Sequence, residues 1–216
     1  MFVLNFHSIG RPRRDLGDGE DSVCLERERF VEILDAVAGR DDVRLTFDDG
    51  NSSDVSEALP ELERRGLHAH FFVCPARFGV EGFVTEDEVR ELKRAGMLLG
   101  SLGMDHVRWR GLTERDLARE IVEAKQLLQD VLETPVDTAA CPFGAYDRRT
   151  LRALRGAGFR AVYTSDGGRA HADDWLVARN TVRRWDTSES VLRMLTGSNG
   201  RPSRTQRAKR WIKKWR

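Results

Sequence analysis

Leu45-Thr46-Phe47-Asp48-Asp49-Gly50-Asn51 is the stretch whose reading decides the fold. Val43, Leu45 and Phe47 alternate with Arg44 and Thr46, the two-residue period of a pleated strand. The strand then stops on two adjacent carboxylates and a glycine. Two carboxylates this close repel, so one tends to hold its proton unless a cation keeps both ionised. An Asp pair where a strand gives way to a turn therefore suits a base beside a metal ligand. The same three residues are also ordinary turn chemistry.

Outward from this strand, strand and helix patterns alternate. Residues 2–6 form a short apolar run, followed by a Gly-, Pro-, Arg- and Asp-rich loop over residues 8–22. Loops of that length are often functional. Phe30, Ile33, Leu34 and Val37 have the i, i+3, i+4, i+7 spacing of one helix face, ended by Gly39. Val55, Leu59 and Leu62 predict a helix to Gly66, with Pro60 forcing a late start or a kink. A strand is expected at residues 69–74. Thr85 to Glu88 has the form of a capping box before a helix that ends near Gly96. A strand at 97–101, a longer helix opened by Thr113 and a strand at 136–141 come next. A helix capped by Asp147, strands at 159–164 and 175–178, and a helix at 188–195 complete the pattern. Such alternation predicts a parallel sheet or an α/β barrel. Asp48, Asp49, residues 101–106, 142–144 and 165–168 all lie just past strand ends, where α/β barrels place their chemistry.

The 216 residues suit one domain, 1–196, with a tail over 197–216. Cys24, Cys74 and Cys141 are scattered, with no CxxC spacing, which indicates neither a zinc knuckle nor a disulfide framework. The first residues read as a strand and not as a signal peptide, and no apolar run approaches the roughly 20 residues of a membrane span. A cytoplasmic protein is expected. Of 36 basic residues, eight lie in 201–216, which holds no acid, so residues 1–200 carry a net −7. An acidic body argues against nucleic acid as its partner. In the tail, Ala208, Trp211, Ile212 and Trp215 are spaced as one helix face, with lysines and arginines opposite. That pattern suits peripheral contact with an anionic membrane surface.

Together these segments resemble the polysaccharide deacetylase family, also called the NodB-homology or carbohydrate esterase family 4 domain. Thr46-Phe47-Asp48-Asp49-Gly50 matches its first motif throughout. Gly100-Ser101-Leu102-Gly103-Met104-Asp105-His106 matches the second, G-S-H-x-x-x-H, except at one position. Cys141-Pro142-Phe143-Gly144 is similar to the third, R-x-P-[FY]-G, and Asp166 with Asp174-Trp175 loosely resembles the fourth. The resemblance implies a single-domain distorted (β/α)7 barrel. It implies a metal-dependent deacetylase acting on N-acetylated amino sugars of a polysaccharide or lipid-linked oligosaccharide. Asp48 would be the base, and Asp49 and His106 ligands of a divalent ion, zinc by family habit, with cobalt or manganese as substitutes. Pro142, Phe143, Gly144 and Trp175 would bind substrate.

Three positions depart from the pattern. Leu102 replaces a metal-binding histidine, leaving two protein ligands where a catalytic zinc normally has three. Weakened metal binding is expected. Ala140 stands where the third motif has an arginine that orients the base, and the fifth motif's acid, L-x-H, finds no histidine in residues 176–181. His7, at the end of the first strand, can reach the barrel mouth, and His171, in the loop between Asp166 and Asp174, is a second candidate acid. His68 and His70, at the start of a strand, read as structural. Trp109 and Trp175 suit either sugar stacking or packing. The alternative function is a catalytically impaired homologue that binds or scaffolds carbohydrate.

Overall fold

The protein is described by a computed structural model over residues 1–196, so the expected amphipathic tail at 201–216 lies outside the described residues. Eight parallel strand segments form one sheet in the order β7-β6-β5-β4-β3-β2-β1-β8. They are β1 (Phe2–Phe6), β2 (Val43–Phe47), β3 (Ala69–Val73), β4 (Leu98–Ser101), β5 (Thr138–Ala140), β6 (Ala161–Thr164), β7 (Leu176–Ala178) and β8 (Asn180–Thr181). The two ends of the sheet are consecutive in the chain. β7 pairs with β6, β8 pairs with β1, and the single residue Arg179 lies between them. One run of chain, 176–181, thus closes the barrel, so eight segments do the work of the seven strands expected.

Helices cover the outside: α1 (Arg27–Val37), α2 (Leu59–Arg64), α3 (Glu86–Arg94), α4 (Glu114–Ala118), α5 (Ala124–Leu132), α6 (Arg148–Gly156) and α7 (Ser188–Thr196). The capping box of α3 forms, with Thr85 accepting from the Glu88 backbone N–H and Glu88 accepting in return. The regular helix starts late, as expected, at Leu59 rather than at Val55, and Pro60 occupies its first turn, where a missing N–H is tolerated. A wide i→i+5 turn, Asp54–Ala58, precedes α2, and a second, Arg119–Glu123, joins α4 to α5. Among the described residues no helix is long and apolar enough to cross a membrane.

The two-residue period sorts each strand into an outer and an inner face. Phe6, Phe47 and Phe71 point outward and stack in series, 5.3 and 4.6 Å between centroids, with Phe30 of α1 edge-on to Phe6 and Phe47. The alternate residues fill the barrel. His70 lies 2.8 Å from the Thr138 hydroxyl and stacks on Phe72. Burial, aided by the charge of Arg179, lowers its pKa to about 3, so it is a neutral core group, as expected for a histidine at the foot of a strand. Gly100 faces this layer, and a Cβ there would lie 2.5 Å from Phe72. Inward-facing Asn5 and Thr46 sit above, and Asp48 and His7 follow directly after the ends of β2 and β1. The strand order therefore delivers the chemistry to the C-terminal mouth. Phe47→Ala removes the middle of the outer stack and lowers unfolding free energy by about 3–5 kcal/mol, measured by denaturant titration.

Candidate active site

Asp48 is 6 % exposed and belongs to a dense polar cluster. Arg179 grips it through two bonds, Nη1 to Oδ1 at 2.6 Å and Nη2 to Oδ2 at 2.8 Å, and Asn5 Nδ2 donates to Oδ2 at 3.0 Å. Burial alone would raise this carboxyl. The charge and hydrogen bonds of Arg179, with smaller help from His7 and Asn5, outweigh it and hold Asp48 below the usual aspartate range. Three of the carboxylate's roughly four acceptor directions are used, leaving one for a reacting proton.

Arg179 is 1 % exposed and also donates to Asn5 Oδ1 at 2.9 Å. It fills the role that the third motif gives to its arginine. Ala140 at that motif position packs with Phe72, Cys74 and Leu102. The missing arginine is thus supplied from the closing strand. Its sequence signal was a lone charge in the otherwise uncharged run Leu176-Val177-Ala178-Arg179-Asn180-Thr181, which a search for histidine passed over.

His7, Asp48, Asp49, His106, Arg108, Phe143, Ser165, Thr181 and Arg183 line one pocket of about 340 Å³. His106 Nε2 is 3.1 Å from Asp49 Oδ1, and His7 Nε2 is 4.0 Å from Asp48 Oδ2. Burial lowers the His106 pKa against the pull of Asp49. Phe143, 55 % exposed, presents its ring to the pocket 4.6 Å from that of His106. Pro142 and Gly144 on either side are buried. Of the four non-glycine residues with positive φ among those described, three are Asp49 (79°), His106 (56°) and Phe143 (57°). Left-handed backbone costs an L-residue roughly 1–2 kcal/mol, so its concentration here marks a site held by its surroundings.

Fit to a metal ion is incomplete. Asp49 Oδ1 is buried and makes no well-aligned hydrogen bond among the described residues, its nearest polar neighbour being His106 Nε2 at 3.1 Å, as two ligand atoms of one site would lie. His106 offers the second donor. Leu102, fully buried against Phe72, Cys74 and Ala140, offers none, and the Arg77 guanidinium lies 3.9 Å from Asp49 Oδ1. Among the described residues no three His, Cys, Asp or Glu are grouped to hold a metal ion. The described residues therefore do not make the three-donor site that the first and second motifs together would supply.

Three expected site residues lie elsewhere. The backbone N–H of Ala170 donates to the Met1 carbonyl, at the foot of β1, so the exposed His171 beside it sits at the wrong end of the barrel for a catalytic acid. Trp175 precedes β7 at that same end. Its Nε1 donates to the Phe159 carbonyl and Arg155 covers its ring, so it packs rather than binds substrate. Asp166 accepts from the Tyr146 hydroxyl at 2.7 Å and does not line the pocket. Trp109 is buried, with Nε1 bonded to Glu120.

Sequence reading passed over Asp54, which is wholly buried behind the Asp pair with neither carboxyl oxygen hydrogen-bonded among the described residues. Burial first, then the negative charges of Asp49 and Asp48, raises its pKa well above the usual range. A raised folded-state pKa adds stability that is complete below the unfolded value, about 3.9, and fades as pH rises towards the folded one. Asp54→Asn should therefore gain stability over the native chain as pH rises from 4 to 8, read from unfolding midpoints across that range.

The fold has solved counterparts. A deacetylase of Streptococcus pyogenes, PplD in complex with acetate, superposes with a TM-score of 0.79 at 18% identity, over 91% of this chain and 98% of that one. IcaB from Ammonifex degensii gives 0.74 at 21% identity, over 91% and 97%. YxkH of Bacillus subtilis, a curated relative whose name assigns it to the polysaccharide deacetylases, is 28% identical over 141 residues, 65% of this chain and 50% of its own length. The chain thus spans half of that relative. The sequence model of the polysaccharide deacetylase family matches residues 36–162, from the end of α1 through β6, and the chain belongs to that family.

Proposed function

We propose that this chain hydrolyses the acetamide of an N-acetylated amino sugar. The observation that carries the reading is Asp48. It is a buried carboxylate kept ionised by Arg179, with one acceptor direction free, facing a pocket it shares with two histidines. A water in that pocket attacks the acetyl carbonyl carbon and gives its proton to Asp48. As the carbon–nitrogen bond breaks, His7 hands a proton to the departing amine and recovers one from Asp48, whose Oδ2 lies 4.0 Å from His7 Nε2, leaving acetate and a free amino sugar. His7 takes this part because His106 is engaged with Asp49 and His171 is remote. Phe143 supplies an exposed aromatic face for the apolar side of a pyranose ring. Polysaccharide deacetylases are generally metal-dependent, and Asp49 with His106 is the pair that would hold an ion here. Leu102 favours a second reading, a homologue that binds carbohydrate with turnover impaired.

Acetate release from N-acetylated oligosaccharides, with and without zinc, cobalt or manganese, separates the two. The deacetylase reading expects release by the native chain and a loss of about 100- to 10,000-fold in Asp48→Asn. Release only by Leu102→His would show a deacetylase disabled at one ligand position. Oligosaccharide binding without acetate release by either form would establish the binding protein instead.

A further inference from the structure

His106 sits in a left-handed backbone conformation on the loop between β4 and α4, and something must hold it there. Glu120 meets that need. It projects from the wide turn Arg119–Glu123, is 2 % exposed, and accepts three N–H groups of this one loop. Oε2 takes the Met104 backbone N–H and the Trp109 indole N–H, each at 3.1 Å, and Oε1 takes the Asp105 backbone N–H at 3.1 Å. The three donors bracket His106, two just before it and one three residues after. A carboxylate can serve all three because it only accepts.

The neighbouring residues are built around this contact. Gly103 has φ 86°, and a Cβ there would fall 2.3 Å from Glu120 Oε2, so only glycine lets the loop approach so closely. Its own N–H is taken by Ser101 Oγ at 3.2 Å. The side chain of Asp105, whose backbone is one of the three donors, adds a two-bond ion pair at the surface with Arg119, the residue before Glu120. Glu120 itself lies in a wide i→i+5 turn, a feature frequent at functional sites.

We infer that Glu120 is a positioning residue, whose three hydrogen bonds to residues 104, 105 and 109 set the Asp49–His106 pair. The inference rests on the deacetylase reading for its effect on turnover, but not for its effect on geometry. Glu120→Gln keeps the volume and replaces one acceptor oxygen by a donor, which opposes the loop N–H groups. The test compares the imidazole nitrogen signals of His106 and His70 by NMR in the native chain, Glu120→Gln and Asp49→Asn, alongside acetate release. The expected result is that the His106 signal in Glu120→Gln moves towards its position in Asp49→Asn. His70, at the other end of the barrel, should stay in place, and acetate release should fall by about 100-fold through kcat. A His106 signal unchanged in Glu120→Gln, or His70 moving with it, would overturn the inference. If the native chain releases no acetate, the deacetylase reading fails while the imidazole signals still decide the role of Glu120.

Discussion

The buried ion pair between Asp48 and Arg179 is the constraint around which the barrel is arranged. Neither charge reaches bulk water freely, and desolvating them costs several kcal/mol each. What offsets that cost is geometry: two parallel N–H···O bonds, a third donor from Asn5, and a second acceptor for the guanidinium in the same Asn5 side chain. Losing Arg179 alone would leave an unpaired buried carboxylate, a defect worth about 3–5 kcal/mol. The pair also ties the end of β2 to the closing run 176–181, across the β1 strand that lies between β2 and β8.

Around this fixed centre, three residues that line the pocket sit in conformations that a free chain avoids. Asp49, His106 and Phe143 all have positive φ, and each is pinned by what lies behind it. Gly50 packs against Val73 and Val84, the His106 loop is held on Glu120, and Pro142 and Gly144 are buried against the barrel rim. The energy for this comes from the apolar layers outside the sheet. The supports of the site are buried, while the pocket itself opens to solvent beside Arg108 and Arg183.

Much of this was legible in the sequence, and the misses have physical causes. The alternation before Asp48 located β2, and the capping box and the glycine stops located helices, because these signals act within a few residues. Asp49 and His106 came together as the motifs implied. Trp175 and His171 did not, because the chain after β6 descends to the foot of the barrel before β7 begins, a path set by the Ala170–Met1 contact across the sequence. Arg179 was missed because its motif position holds Ala140. The replacement arrives through sheet closure, which local pattern cannot show. Glu120 falls within the longer helix opened by Thr113 with no motif to single it out, and only its bonds to residues 104, 105 and 109 reveal where it is aimed.

The central claim is that Arg179, from the closing strand, keeps Asp48 ionised as the base of this site. A carbon-13 NMR titration of the Asp48 carboxyl, in the native chain and in Arg179→Met, tests it directly. The account predicts that Asp48 titrates below the ordinary aspartate value of about 3.9 in the native chain and rises above it once the guanidinium is gone. An Asp48 that titrates at or above that value in the native chain would contradict it.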